Sequence, residues 1–143
     1  MTGTDLLERL SSDVPMDLFG MDAAALGGIE DVPQSQLHGE MARRRVYLHP
    51  IRWTSLGLSL LEAMQLGMPV VALATTEVPE AVPPQAGVIS TDLSELSGAL
   101  RRFVADPASA RACGQAARQA ALDRYGLDRF LAEWHDLLEE VAR

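Results

Sequence analysis

Apolar positions follow two different periods along this chain, and the change between them outlines the elements. Thr4 or Asp5 can cap a short first helix through about Leu10, and Pro15 to Met21 (PMDLFGM) reads as a short strand ending near a glycine. Ala23 to Val32 is rich in Gly and Ala without a clear period, so a loop is expected there, and Pro33 opens a helix to Arg43. Val46 to Pro50 (VYLHP) then predicts a strand, Leu56 to Leu66 a helix stopped by Gly67, and Pro69 to Ala74 (PVVALA) a strand covered on both faces. Val78 to Val82 is at most one helical turn, and Ala86 to Ser90 a further short strand.

From Asp92 onward the period is helical throughout. Asp92 and Glu95 stand at capping-box spacing, and Leu93, Leu96, Leu100, Phe103 and Val104 form one apolar face. Asp106 and Pro107 cap and open a helix over Ala108 to Arg124, which Gly126 ends. Leu127, Phe130, Leu131, Trp134, Leu137, Leu138 and Val141 repeat at three- and four-residue steps, so a closing helix over 127–142 is expected to pack on the body, with Phe130 and Trp134 in the core.

Strands alternating with helices predict a Rossmann-like, doubly wound parallel sheet with helices on both faces. The 143 residues suffice for a single domain spanning 1–143. No internal repeat or linker interrupts it.

Composition narrows the function. A formal charge of −8 leaves no basic face to displace counterions from a nucleic acid. All the basic residues are arginines, which removes lysine chemistry such as Schiff bases and P-loop lysines. The lone Cys113 provides no disulfide framework, which fits a reducing, cytoplasmic setting, and it has no neighbouring base to activate it. The acidic N-terminus is neither signal peptide nor membrane span. His38, His49 and His135 are isolated from other metal-ligand types, so no metal is expected.

In doubly wound sheets ligands bind beyond the carboxyl ends of strands, which directs attention to the turn after VYLHP. The N–H groups of Ser55, Leu56, Gly57 and Leu58 open a helix there, and a helix start offers donors and partial positive charge to an anion such as phosphate. Gly57 lets a ligand approach the backbone, and Glu62, about a turn further on, can accept hydrogen bonds from sugar hydroxyls. The plainer alternatives are a solvent-facing Glu62, N-capping by Thr54 and Ser55, a structural His49, and a solvated helix end at Arg43, Arg44 and Arg45.

The span from Tyr47 to Glu80, YLHPIRWTSLGLSLLEAMQLGMPVVALATTEVPE, resembles the donor-binding core of GT-B glycosyltransferases that use nucleotide sugars, in the large retaining family marked by two glutamates eight positions apart (E-x7-E). Those enzymes read proline, serine, two residues, E-G-F-G-x-x-L-L-E-A-M-A-x-G-x-P-V-V, then G-G-x-P-E. The stretch from Asp92 to Val141 is similar to that family's tail. By this resemblance Glu62 holds the donor ribose, Gly57 and Leu58 belong to the turn whose amides hold the diphosphate, and Gly67, Pro69, Val70, Pro79 and Glu80 match the later motifs. Thr54 stands at the first glutamate, the position that contacts the transferred sugar; Ser55 and Leu56 replace Gly and Phe, and Thr76 and Glu77 stand at two glycines. A threonine hydroxyl can bond an oxygen but brings no negative charge to a developing oxocarbenium ion.

The resemblance therefore implies a donor-binding half of a GT-B architecture that begins after the family's upstream Arg and Lys clamp, within a larger enzyme transferring a sugar from a nucleotide-diphosphate sugar to a hydroxyl acceptor. The donor residues would be Thr54, Ser55, Leu56, Gly57, Leu58 and Glu62, with Arg52 a further candidate for the diphosphate. The donor is a substrate, and no cofactor or metal is implied. The alternative is a non-catalytic Rossmann-like module serving as a partner subunit or oligomer, which Thr54 and the open edge of a shortened sheet would fit.

Overall fold

The computed structural model describes residues 3–142; Met1, Thr2 and Arg143, at the ends of the expected domain, lie outside it. In chain order it contains α1 (Thr4–Ser11), a 3-10 turn (Ala23–Leu26), α2 (Gln34–Ala42), β1 (Tyr47–His49), α3 (Leu58–Gln65), β2 (Val70–Leu73), α4 (Val78–Ala81), β3 (Gly87–Ser90), α5 (Leu93–Ala105), α6 (Pro107–Tyr125) and α7 (Leu127–Val141). The strands form a parallel sheet in the order β1-β2-β3, with Tyr47 opposite Val70 and Val70 opposite Gly87. The doubly wound expectation holds.

β2 is buried along its whole length because it is central and both faces are covered. Side chains alternate across a strand, so Val71 and Leu73 join Leu6, Leu10, Leu96, Leu100 and Phe103 on the α1/α5 side. Val70 and Ala72 join Leu60, Met64, Val78, Ala117 and Ala121 on the α3/α4/α6 side. Small residues Ala110, Gly114, Ala117 and Ala121 are the buried positions of α6, and they let its backbone lie close to its neighbours.

Local chemistry sets most element ends. Asp106 Oδ1 accepts from the N–H groups of Ala108 and Ser109 at 3.0 and 3.1 Å, and Pro107 has no N–H to satisfy. α3 closes with Gly67 in the left-handed region at φ 76°, where Met68 N–H reaches Ala63 O at 3.0 Å and Gly67 N–H reaches Met64 O at 2.9 Å. That pair of bonds is a Schellman closure.

Several expectations are corrected. Gly3, not Thr4 or Asp5, is the cap residue of α1, which leaves the Asp5 carboxylate for a distant partner. Pro15 to Met21 is not a strand: Leu18 O and Gly20 N–H bond back to Ile29, a single bridge within its own loop, and no sheet edge runs beside it. Asp92 caps Ser94 N–H at 2.7 Å, but Glu95 turns to the Ser90 hydroxyl, so the reciprocal half of the capping box is absent. Arg44 is no solvated helix end; it donates to Asp17 and Glu40 and lies 4.9 Å from the Phe19 ring centroid. The largest correction is α7. The helix forms where its period places it, yet it buries no residue, and Phe130 and Trp134 are 54% and 48% exposed. Its apolar stripe is not packed on the body.

Candidate functional site

The turn between β1 and α3 is held from below. Tyr47 and His49, two apart on β1, face α3, while Leu48 faces the opposite core. Gly57, the cap residue of α3, sits on the His49 ring: a Cβ there would lie 2.8 Å from His49 Cε1. The glycine is thus needed by the histidine beneath it as much as by any ligand above.

His49 is fully buried, and its Nε2 has no hydrogen-bond partner among the described residues. Burial pushes its imidazole below the usual pKa, so the ring is neutral with a single N–H. Its Nδ1 lies 3.3 Å from the Tyr47 hydroxyl, which in turn donates to Ser59 Oγ at 2.9 Å. Burial pushes the Tyr47 pKa up, the bond to Ser59 opposes that, and the charge of Glu62 adds to it. Tyr47 keeps its proton.

From the side, the loop after β2 ties the turn down. Thr75 Oγ1 donates to Ile51 O at 2.8 Å, and Thr76 Oγ1 reaches Ser55 O at 3.4 Å. Thr76 has φ 50°, a left-handed conformation uncommon for a β-branched residue and easy for glycine.

Of the expected site residues, Thr54, Ser55, Leu56, Gly57, Leu58 and Glu62 are gathered at this end of the sheet and the start of α3. The N–H groups of Ser55, Leu56, Gly57 and Leu58 have no backbone acceptor among the described residues. Thr54 is half-buried, Ser55 exposed, and Leu58 is 75% exposed with Trp53 beside the turn at 78%. Glu62 is half-buried, with Oε1 3.7 Å from His38 Nε2, in a groove shared with Gln65, Leu66, Arg118 and Leu122. Ser59 and Glu62, three apart, share one face of α3.

Arg52 is paired within the protein. Its guanidinium is bidentate on Asp5, at 2.5 and 2.7 Å, fastening α1 to the loop that leaves β1. The pair holds Asp5 below and Arg52 above their usual values. Sequence reasoning did not single out Tyr47, Ser59 or Thr75. The only local signal was the i, i+2 placement of Tyr47 and His49, whereas Ser59 meets Tyr47 by tertiary packing alone. Among the described residues no three His, Cys, Asp or Glu side chains are grouped to hold a metal, and no helix is long and apolar enough to cross a membrane.

Known proteins share this fold. The family described as Glycosyl transferases group 1 matches residues 28–120, from the loop before α2 into α6. Sucrose-phosphate synthase from Thermosynechococcus elongatus superposes with a TM-score of 0.83 at 21% identity, over 98% of this chain and 42% of its own. The S. aureus protein TarM, solved in complex with fondaparinux, alpha-GlcNAc-glycerol and UDP, superposes with a TM-score of 0.79 at 16% identity, over 96% of this chain and 33% of its own. This chain therefore spans less than half the length of either. No curated protein sequence matches it.

Proposed function

Because this chain belongs to the group 1 glycosyl transferases, we propose that it is the donor-binding half of an enzyme that moves a sugar from a nucleotide-diphosphate sugar to a hydroxyl acceptor. Its fold is that of one half of a GT-B glycosyltransferase. The observation that carries the proposal is the start of α3: four neighbouring N–H groups without backbone acceptors, with a carboxylate one turn along. The N–H groups and the helix dipole suit a diphosphate, and Glu62 suits the vicinal hydroxyls of a ribose.

Thr54 limits what this half contributes. At the position matching the family's first glutamate it offers a neutral hydroxyl, with no partner among the described residues. It can orient a sugar oxygen, but it stabilises no positive charge. Arg52, committed to Asp5, adds nothing to the diphosphate in this arrangement. The positive charge and the acceptor surface then come from protein outside these residues. Purified on its own, the 143-residue chain is expected to transfer no sugar from any nucleotide sugar, as followed by nucleoside diphosphate release; robust turnover would refute the division of labour.

Calorimetric titration with UDP, ADP, GDP and dTDP tests binding. At least one is expected to bind, and Glu62→Ala should weaken it roughly tenfold or more, the scale of a lost hydrogen bond to a charged group. Absence of binding by every diphosphate would favour the second reading, a non-catalytic module that associates with a partner. The unpacked apolar stripe of α7 supports that alternative.

A further inference from the structure

The apolar stripe of α7 is a surface that the fold leaves open. Seven of its side chains, from Leu127 to Val141, are 48% to 77% exposed, and the Phe130 and Trp134 rings already stand together with centroids 6.0 Å apart. At roughly 150–250 Å² for each such residue, the stripe presents on the order of 800 Å² of apolar surface. Each partner in a standard protein–protein interface buries about 800 Å², and lone monomers seldom expose an apolar patch above about 600 Å².

The stripe is also complementary to itself. On a helix that turns about 100° per residue it is centred on Trp134, with apolar positions 3, 4 and 7 residues to either side. A two-fold axis through Trp134 therefore lays the helix antiparallel on its own copy with every apolar layer matched. Leu127 comes level with Val141, Phe130 with Leu138, Leu131 with Leu137, and Trp134 with itself.

Charged side chains keep clear of this seam. Glu133 and His135 are the nearest, about 100° from its centre. Glu133 is held by Arg129 at 2.6 Å and His135 reaches Glu139 at 3.2 Å, so both are engaged along their own helix. With five acidic side chains and one arginine, α7 is repelled by anionic lipid headgroups, which argues against a membrane surface as the occupant.

We propose that α7 is a self-association surface, which joins two copies of this chain as an antiparallel helix pair with Trp134 on the two-fold axis. The contact uses none of the residues at the start of α3 and does not depend on what binds there. Trp134 then adds to the dimer and not to the folded monomer. Its loss leaves the stability of a dilute sample nearly unchanged, and lowers the unfolding midpoint only where the chain is concentrated enough to pair.

Sedimentation equilibrium of the full chain, from about 1 µM to 1 mM, should show monomer and dimer in exchange with a micromolar or tighter Kd. Trp134→Glu places two carboxylates on the axis and should weaken pairing at least about a hundredfold with the circular dichroism spectrum retained, while Asp136→Ala, on the far side of the helix, should stay within about threefold of the parent. Added salt should tighten the pair, because it screens the repulsion between two acidic chains. Cysteines test the orientation in a Cys113→Ser background. With oxidised glutathione, Trp134→Cys should form a disulfide-linked dimer, whereas Leu127→Cys should not, since its two copies would lie about 20 Å apart at opposite ends of the pair. A chain that stays monomeric throughout this range overturns the proposal, whether a vesicle or another protein then takes the stripe. A dimer that survives Trp134→Glu, or one that links as readily through Leu127→Cys as through Trp134→Cys, overturns it as well.

Discussion

Gly114→Ala is expected to destabilise the protein by at least about 3 kcal/mol, beyond the usual range for one added methyl group. A Cβ at position 114 would lie within van der Waals contact of Gly67, at 1.9 Å from its carbonyl oxygen and 2.8 Å from its carbonyl carbon. Both obstacles are backbone, so no rotamer change relieves them. Gly67 cannot retreat easily, because it closes α3 in the left-handed conformation with two backbone bonds across it. α6 cannot retreat either, since Ala110, Ala117 and Ala121 are buried on the same face. At roughly 3 °C per kcal/mol for a domain of this size, the melting temperature should fall by about 10 °C. Gly98→Ala is the control: nothing lies within 4 Å of the added carbon in α5, so the helix should gain about 0.5–1 kcal/mol. If both variants melt like the parent, the close approach of α6 to the end of α3 is wrong.

Phe103→Ala and Trp134→Ala should separate just as widely, although the sequence pattern assigns both aromatic rings to the core. Phe103, 2% exposed, packs with Leu96, Leu100, Val71 and Leu73 on the α1/α5 side of the sheet. Removing it leaves a cavity among residues already packed, at a cost of about 3–5 kcal/mol. Trp134 has no core around it, and its loss should change stability by about 0.5 kcal/mol or less, as for other exposed positions. Urea unfolding followed by circular dichroism measures both. A Trp134→Ala variant as unstable as Phe103→Ala would mean that α7 folds back on the body after all.

This contrast shows where sequence reasoning stops. Amphipathic spacing establishes that one face of α7 is apolar, but α5 carries the same kind of stripe, and the two differ only in what lies opposite. Leu96, Leu100 and Phe103 meet β2, while Leu131, Trp134 and Leu138 stay about half exposed and belong to no buried cluster among the described residues. Pro15 to Met21 fails for a related reason, since a strand exists only with a neighbouring strand to bond, and this segment finds only Ile29 of its own loop. By contrast Asp92, Asp106, Pro107 and Gly67 act within a few residues of themselves, so the helix ends they set are visible in the chain.

The site divides in the same way. The sequence by itself determined that a helix start with Gly57 follows a short strand, that Glu62 lies one turn further on, and that Thr54 occupies a position where the family resemblance places a carboxylate. These are matters of spacing along a strand, a turn and a helix, where geometry repeats every few residues. Only the tertiary structure decided that Arg52 turns to Asp5, 47 residues earlier, that Gly57 rests on the buried His49 ring, and that Tyr47 reaches across to Ser59. Each of those contacts joins groups whose meeting depends on how whole elements pack, and neither partner carries a local mark of the other.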